Sequence, residues 1–249
     1  MTSNIIDFPK ASVTCAICPW ARSCVAEGFG PGSEDTSAQR CTAPTKRGQH
    51  IIRQGDTLEY LYVLRSGSAK SYFDSSDGLE QIVAFHYPGD LLGFDAIGDG
   101  THQTSVVALE TAALCRVPYT ELEQSMRESP KLWNEVMRAG ACQMRDKNVH
   151  ALLLGQKSAA ARFASFLLDV SARLAARGCS RSEFNLSMPR QDIANYLSLA
   201  VETVSRLFGE LQANGAINVE RRFVQISCFD TLRNVAGDAS GGSSRARSG

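Results

Sequence analysis

The chain has 249 residues, enough for two separate cores, with 43% hydrophobic and 21% charged residues, the balance of an ordinary soluble protein. No run approaches the ~18 apolar residues of a membrane span. The opening MTSNIIDFPK lacks the basic and apolar regions of a secretory signal, so a cytoplasmic protein is expected. The formal net charge is zero, from 26 Lys+Arg against 26 Asp+Glu, yet residues 1–156 hold 14 against 18 and residues 157–237 hold 10 against 7. A mildly basic C-terminal module on an acidic body fits a polyanionic partner.

Residues 1–47 read as an arm that carries cysteines and then a Gly- and acid-rich stretch, Glu27 to Asp35, expected to be irregular. Residues 48–125 carry short β-type runs, Tyr60–Arg65, Ala69–Phe73, Gln81–Phe85, Ser105–Leu109 and Ala113–Val117, separated by glycine turns. Many short strands at this spacing predict a β-barrel or jelly roll. Helical periodicity begins at Tyr119, and Pro130 punctuates a long helix to about Leu154 within a segment bounded at 126–157. Its apolar residues, among them Leu132, Trp133, Val136, Met137, Ala141, Met144 and Ala151, recur at three- and four-residue steps, compatible with a dimer seam or with packing on its own domain. A further helix, Ala159–Ala176, opens the segment 158–236, and the Gly/Ser-rich tail 237–249 is expected to be disordered.

Cys15, Cys18 and Cys24 follow the pattern C-x2-C-x5-C, a concentration of thiolates suited to a soft metal or an iron–sulfur cluster. A reducing compartment makes the eight cysteines ligands and buried thiols in preference to disulfides. Four-thiolate zinc is the competing use, and spacing leaves Cys41 and Cys115 even as the fourth ligand. Cys142, Cys179 and Cys228 read as packing residues.

Residues 189–208 fit two helices joined by a tight turn. In the first, Arg190–Leu197, the residues Ile193, Ala194 and Leu197 face the core. The second, Val201–Asn214, is expected to bury Val201, Val204, Leu207, Phe208 and Leu211. Glu202, Ser205 and Arg206 then share the opposite side near the helix start, with Thr203 beside them, where a recognition helix meets DNA. Arg206 suits guanine O6 and N7, Glu202 suits cytosine N4, and Ser205 suits either. Glu202 and Arg206 are also spaced for an ordinary i,i+4 ion pair. The run from Ala216 to Ile226 reads as a β-hairpin wing with Arg221 and Arg222 at its tip, set to meet phosphates.

These motifs, with Tyr87–Gly98 and Ala108–Cys115, resemble the FNR branch of the CRP/FNR transcription regulators over about residues 15–24 and 48–236. The resemblance implies an α+β chain: an N-terminal β-roll (jelly-roll-like) sensor domain, a long dimerisation helix and a C-terminal winged helix-turn-helix domain. It implies an oxygen-labile [4Fe–4S] cluster on Cys15, Cys18, Cys24 and Cys115, a homodimer seam including Val136, Met137, Gly140, Met144, Lys147 and Ala151, and double-stranded palindromic TTGAT-N4-ATCAA-like DNA as target. RNA polymerase is an implied partner, through the 73–80 loop and the surface near Thr111. The chain departs from the branch at Lys147, where relatives often carry an acid, at Ala151, and at Ser198, where the turn commonly has glycine.

A cyclic-nucleotide-controlled regulator would need an arginine after Gly89-Asp90-Leu91, and Asp99–Ser105 contains none, so no cyclic nucleotide is expected. A zinc-stabilised constitutive DNA-binding protein is the remaining alternative. Catalysis is not expected: the four histidines (50, 86, 102, 150) are dispersed, no phosphate loop or nucleophile elbow is present, and His86 and Asp90 read as turn residues.

Overall fold

A computed structural model describes residues 42–75 and 77–237. Cys15, Cys18, Cys24 and Cys41, and the tail from 238, lie outside the described residues. Two compact units divide the chain: one takes residues up to Asp74 with Phe85–Gln143, the other Ser75–Ala84 with the chain from Met144.

The N-terminal half carries the antiparallel strands β1 (His50–Ile52), β2 (Tyr60–Ser66), β3 (Ala69–Asp74), β4 (Glu80–His86), β5 (Leu91–Leu92), β6 (Ser105–Ala108) and β7 (Ala113–Pro118), all in the first unit except β4, of which only Phe85 and His86 fall there. They form two sheets, ordered β1-β6-β3-β4 and β5-β2-β7. Period-two alternation sends neighbours to opposite faces. Leu64, Leu92 and Leu114 pack with Ile52, Ala69, Val106 and Ala108 of the other sheet, while Leu61, Val63, Leu91 and Val117 pack with Leu122, Leu132 and Val136 on the helices. The β5-β2-β7 sheet is thus covered on both faces, which explains its nearly continuous apolar runs.

Helix α1 (Tyr119–Glu128) ends and α2 (Pro130–Gln156) begins at Ser129. A residue before proline is pushed out of the α region, and Ser129 is extended (φ −127°, ψ 101°). Its hydroxyl accepts from the Leu132 amide at 3.3 Å, an N-cap with Pro130 at the first helical position. Helix α2 meets the roll at Gly140, where a methyl group would overlap the Phe94 ring. Gln143 then donates to the Leu91 carbonyl at 2.8 Å. Phe94 begins a 3-10 turn, Phe94–Ala96, after Gly93 at φ 87°, a conformation that favours glycine.

In the second unit, α3 (Ala159–Ala175), β8 (Glu183–Asn185), α4 (Arg190–Leu197), α5 (Val201–Ala213), β9 (Ile217–Glu220), β10 (Phe223–Ile226) and α6 (Phe229–Ala236) enclose one core. Phe163 of α3 meets Phe208 of α5 edge to face, 4.6 Å between centroids, and Ile193, Leu197, Val204, Leu211 and Leu232 close round them. The sheet β8-β10-β9 is antiparallel, with Glu220 opposite Phe223 so that Arg221 and Arg222 form its two-residue turn. Asn195, in the last turn of α4, accepts from the Ile82 amide and donates to the Glu80 carbonyl, both at 2.7 Å. One end of the 73–80 loop is therefore tied to α4. No helix among the described residues is long and apolar enough to cross a membrane.

Candidate nucleic-acid interface and ligand strand

The α4–α5 turn is closed by Ser198 at φ 51°, whose amide donates to Asn195 while the Leu199 amide donates to Ala194. Serine occupies the left-handed position that helix ends usually give to glycine. Ala200 precedes α5 and offers no side-chain acceptor, so α5 starts without a side-chain N-cap. Free amides at a helix start are ready donors to a phosphate.

On α5, Glu202 and Arg206 are exposed, while Thr203 and Ser205 are half-buried. Val204, Leu207, Phe208 and Leu211 are buried, but Val201, expected in the core, is 38% exposed: at the first helical position it lies before the face that turns inward. Arg206 does not pair with Glu202. Its Nε lies 3.3 Å from the Glu210 carboxylate, an i,i+4 pair in the opposite direction.

A cleft of about 490 Å³ runs beside α5, lined in part by Arg190, Ser205, Gln212 and Arg221. Arg190 was not singled out from the sequence; its guanidinium stacks 4.9 Å over the Phe208 ring, which brings it to the cleft. The two wing arginines part company. Arg221, at φ 55°, lines the cleft, whereas Arg222 donates to the Ser187 carbonyl at 3.3 Å. Arg190 and Arg221 thus set two cations beside Ser205 on one flank of α5.

On α2, Val136 and Gly140, expected at a dimer seam, are buried against their own roll. Trp133, Met137, Met144 and Leu152 are exposed apolar residues, and Ala151 and Lys147 are exposed as well. At ~100° per residue, Trp133, Met137, Ala141, Met144 and Ala151 share one face and Lys147 lies on its flank.

Cys115 is half-buried in β7, opposite Val63, and packs on the apolar cluster that includes Leu132 and Val136 of α2. The chain just beyond Cys41 runs beside it: the Thr42 amide donates to the Leu114 carbonyl at 3.0 Å, and Thr45 and Ala112 exchange backbone hydrogen bonds. Of the presumed packing thiols, Cys179 is exposed, and Cys228, before α6, accepts from the Thr231 hydroxyl.

The histidines sit in separate contacts. His50 bonds Tyr72, His86 bonds Ser71, His102 lies 3.8 Å from Asp95, and His150 stacks on Tyr196. Among the described residues no cluster of three or more metal-ligating side chains occurs. Asp90 accepts from the Tyr87 amide, the turn role expected of it. Burial alone would raise the Asp95 carboxyl, but the neighbouring His102 ring, with hydrogen bonds from the Thr104 hydroxyl at 2.9 Å and the Gln103 amide at 3.0 Å, outweighs it and holds its pKa below the usual range.

Comparison with known proteins agrees with this architecture. A cyclic nucleotide-binding domain profile matches residues 44–129, and a Crp-like helix-turn-helix domain profile matches residues 161–235. The fumarate nitrate reduction regulatory protein of Klebsiella oxytoca is 42% identical over 196 residues, 79% of this chain and 78% of the relative. The corresponding Escherichia coli protein is 42% identical over 194 residues, 78% of each chain. Among solved structures, FixK2 from Bradyrhizobium japonicum matches with a TM-score of 0.70 and 30% identity over 78% of this chain and 98% of that one. The β-domain, the long helix and the helix-turn-helix with its small sheet are the parts those proteins share. The chain belongs to the CRP/FNR family of transcription regulators, which bind DNA through the helix-turn-helix and are not enzymes.

Proposed function

We propose that this chain is an oxygen-responsive regulator that binds palindromic TTGAT-N4-ATCAA-like DNA as a homodimer while Cys15, Cys18, Cys24 and Cys115 hold a [4Fe–4S] cluster. The position of Cys115 carries the proposal. Its strand is the one the arm meets as it enters the fold, through Thr42 and Leu114, and its side chain packs on the core that seats Leu132 and Val136 of α2. A thiolate donor there fits a fourth ligand for three arm cysteines, and it packs on the apolar cluster to which the long helix contributes Leu132 and Val136. When bound, the cluster supplies an oxygen-labile tie between arm and roll.

The chain's own residues do the rest. Leu132, Val136 and Gly140 seat α2 on the roll, and Trp133, Met137, Met144 and Ala151 offer a seam to a second copy. Two such copies place their α5 helices one DNA turn apart, ~34 Å, with Glu202, Ser205 and Arg206 at base edges. Arg190, Arg221 and the first α5 amides meet phosphates. The names of the relatives, regulators of fumarate and nitrate reduction, support anaerobic activity. RNA polymerase contact falls to the 73–80 loop and the Thr111 surface. A cyclic nucleotide is disfavoured because the stretch Asp99–Ser105 offers no arginine, and the Asp95 carboxylate accepts from its Gln103 amide and Thr104 hydroxyl.

The test is anaerobic purification with iron, sulfide and zinc analysis, then air exposure while colour and DNA binding are followed. About four iron and four sulfide per chain are expected, with colour and binding lost together in air. Cys115→Ala should lose the iron yet keep its circular dichroism. Zinc in place of iron, or DNA binding indifferent to air, would overturn the cluster and leave a constitutive regulator.

A further inference from the structure

We infer that Glu210 is a positioning residue for base reading, holding the Arg206 guanidinium in the orientation that discriminates guanine. The inference rests on the DNA-reading role proposed for α5. Arg206 has a carboxylate one turn away on each side, Glu202 before it and Glu210 after it. Helices intrinsically favour the pair in which the acid precedes the base, which would select Glu202. The structure pairs Arg206 with Glu210 instead, Nε to Oε1 at 3.3 Å, and leaves Glu202 exposed without that partner.

The choice has chemical consequences. A carboxylate that engages Nε leaves both terminal nitrogens, the end of the fork, free for guanine O6 and N7. At ~100° per residue, Glu210 and Ser205 lie on opposite flanks of the line through Glu202, Arg206 and Gly209, so the pair draws Arg206 away from the Ser205–Arg190–Arg221 cleft and its phosphate. The helix surface beside it is open: a Cβ on Gly209 would meet no atom within 4 Å. Glu210 also sets a negative charge, 52% exposed, on a surface that meets phosphates, which weakens binding to every sequence alike. Glu210 therefore lowers general affinity and raises selectivity at the guanine of TTGAT.

The test uses the full chain, purified without oxygen, and competition anisotropy on two duplexes. One carries the palindrome; in the other the guanine–cytosine pair of each half-site is replaced by adenine–thymine. Glu210→Gln should tighten binding to both duplexes and shrink the ratio between them by about 3–10-fold, a fraction of what one good bidentate contact discriminates. On an Arg206→Ala background the same substitution should leave the ratio where Arg206→Ala alone puts it. Equal tightening on both duplexes, with the ratio intact, would show that Glu210 acts only as a charge and overturn the inference. If Arg206→Ala itself leaves the ratio unchanged, base reading by Arg206 fails and the inference goes with it. The pair is exposed, so an unchanged melting curve for Glu210→Gln serves as the folding control.

Discussion

Arg221 holds a backbone conformation that suits glycine, φ 55° in the two-residue turn of the wing. Left-handed backbone at a non-glycine residue costs about 1 kcal/mol or more. The side chain that this strain retains lines the cleft beside Ser205. Arg221→Gly should therefore raise unfolding stability by about 0.5–1 kcal/mol. It should also weaken DNA binding across all sequences and lower the salt slope by about one. Denaturant titration and binding at several salt concentrations check both halves; stability gained with affinity intact would remove Arg221 from the interface. Residue types and spacing made the wing tip legible, and they put Glu202, Ser205 and Arg206 together in the first turns of α5. They did not make Arg190 legible, because only the Phe208 ring brings it to the cleft. Nor did they decide which acid Arg206 takes, since both stand four residues away.

Helix α2 shows the same limit for a whole element. Its apolar periodicity is plain, and Ser129–Pro130 marks its start by the steric effect of proline on the residue before it. Periodicity is blind to what covers each face, however. Leu132, Val136 and Gly140 belong to the roll, and the neighbouring face with Met137 and Met144 stays open. The short elements β1, β5, β8 and α6 escaped notice because two to eight residues carry too little period to read, and pairing partners far along the chain define them. Further along α2, His150 stacks on Tyr196 of α4 at 3.9 Å and 11° between planes, with its Nε2 buried and unpaired. Burial pushes the His150 pKa down, only partly opposed by a hydrogen bond with the Tyr196 backbone. Burial, with Asp169 and Asp146 against Arg173, raises that of Tyr196, which stays neutral. A depressed folded pKa means that the unfolded chain binds the proton more readily. Stability from this stack is complete above the unfolded value of about 6.5 and is lost as pH falls through the folded one. The melting temperature of the second unit should drop between pH 7 and pH 5, and His150→Phe should flatten that drop. An equal slope in both proteins would clear His150 of the effect.

For the whole molecule the decisive surface is the exposed α2 face. Two copies joined there would set like charges against each other if Met144 were replaced by glutamate. Met144→Glu should sediment as a monomer and bind the palindrome at least about tenfold more weakly, since linkage of two half-site readers is lost, while a single half-site is bound as before. An unchanged sedimentation coefficient would place the seam elsewhere. The architecture itself, a glycine-punctuated β-roll, one long helix and a winged helix-turn-helix, follows from local signals: strand alternation, turn chemistry and helical period act over a few residues and survive translation into coordinates. The three-cysteine motif is equally local and names a chemistry. What local signals could not reach is every choice between equivalent partners: roll or second copy for Val136 and Gly140, Glu202 or Glu210 for Arg206, carbonyl or cleft for Arg222. Those choices turn on distances between residues remote in sequence, or on rotamers of similar energy, and only packing in three dimensions selects among them.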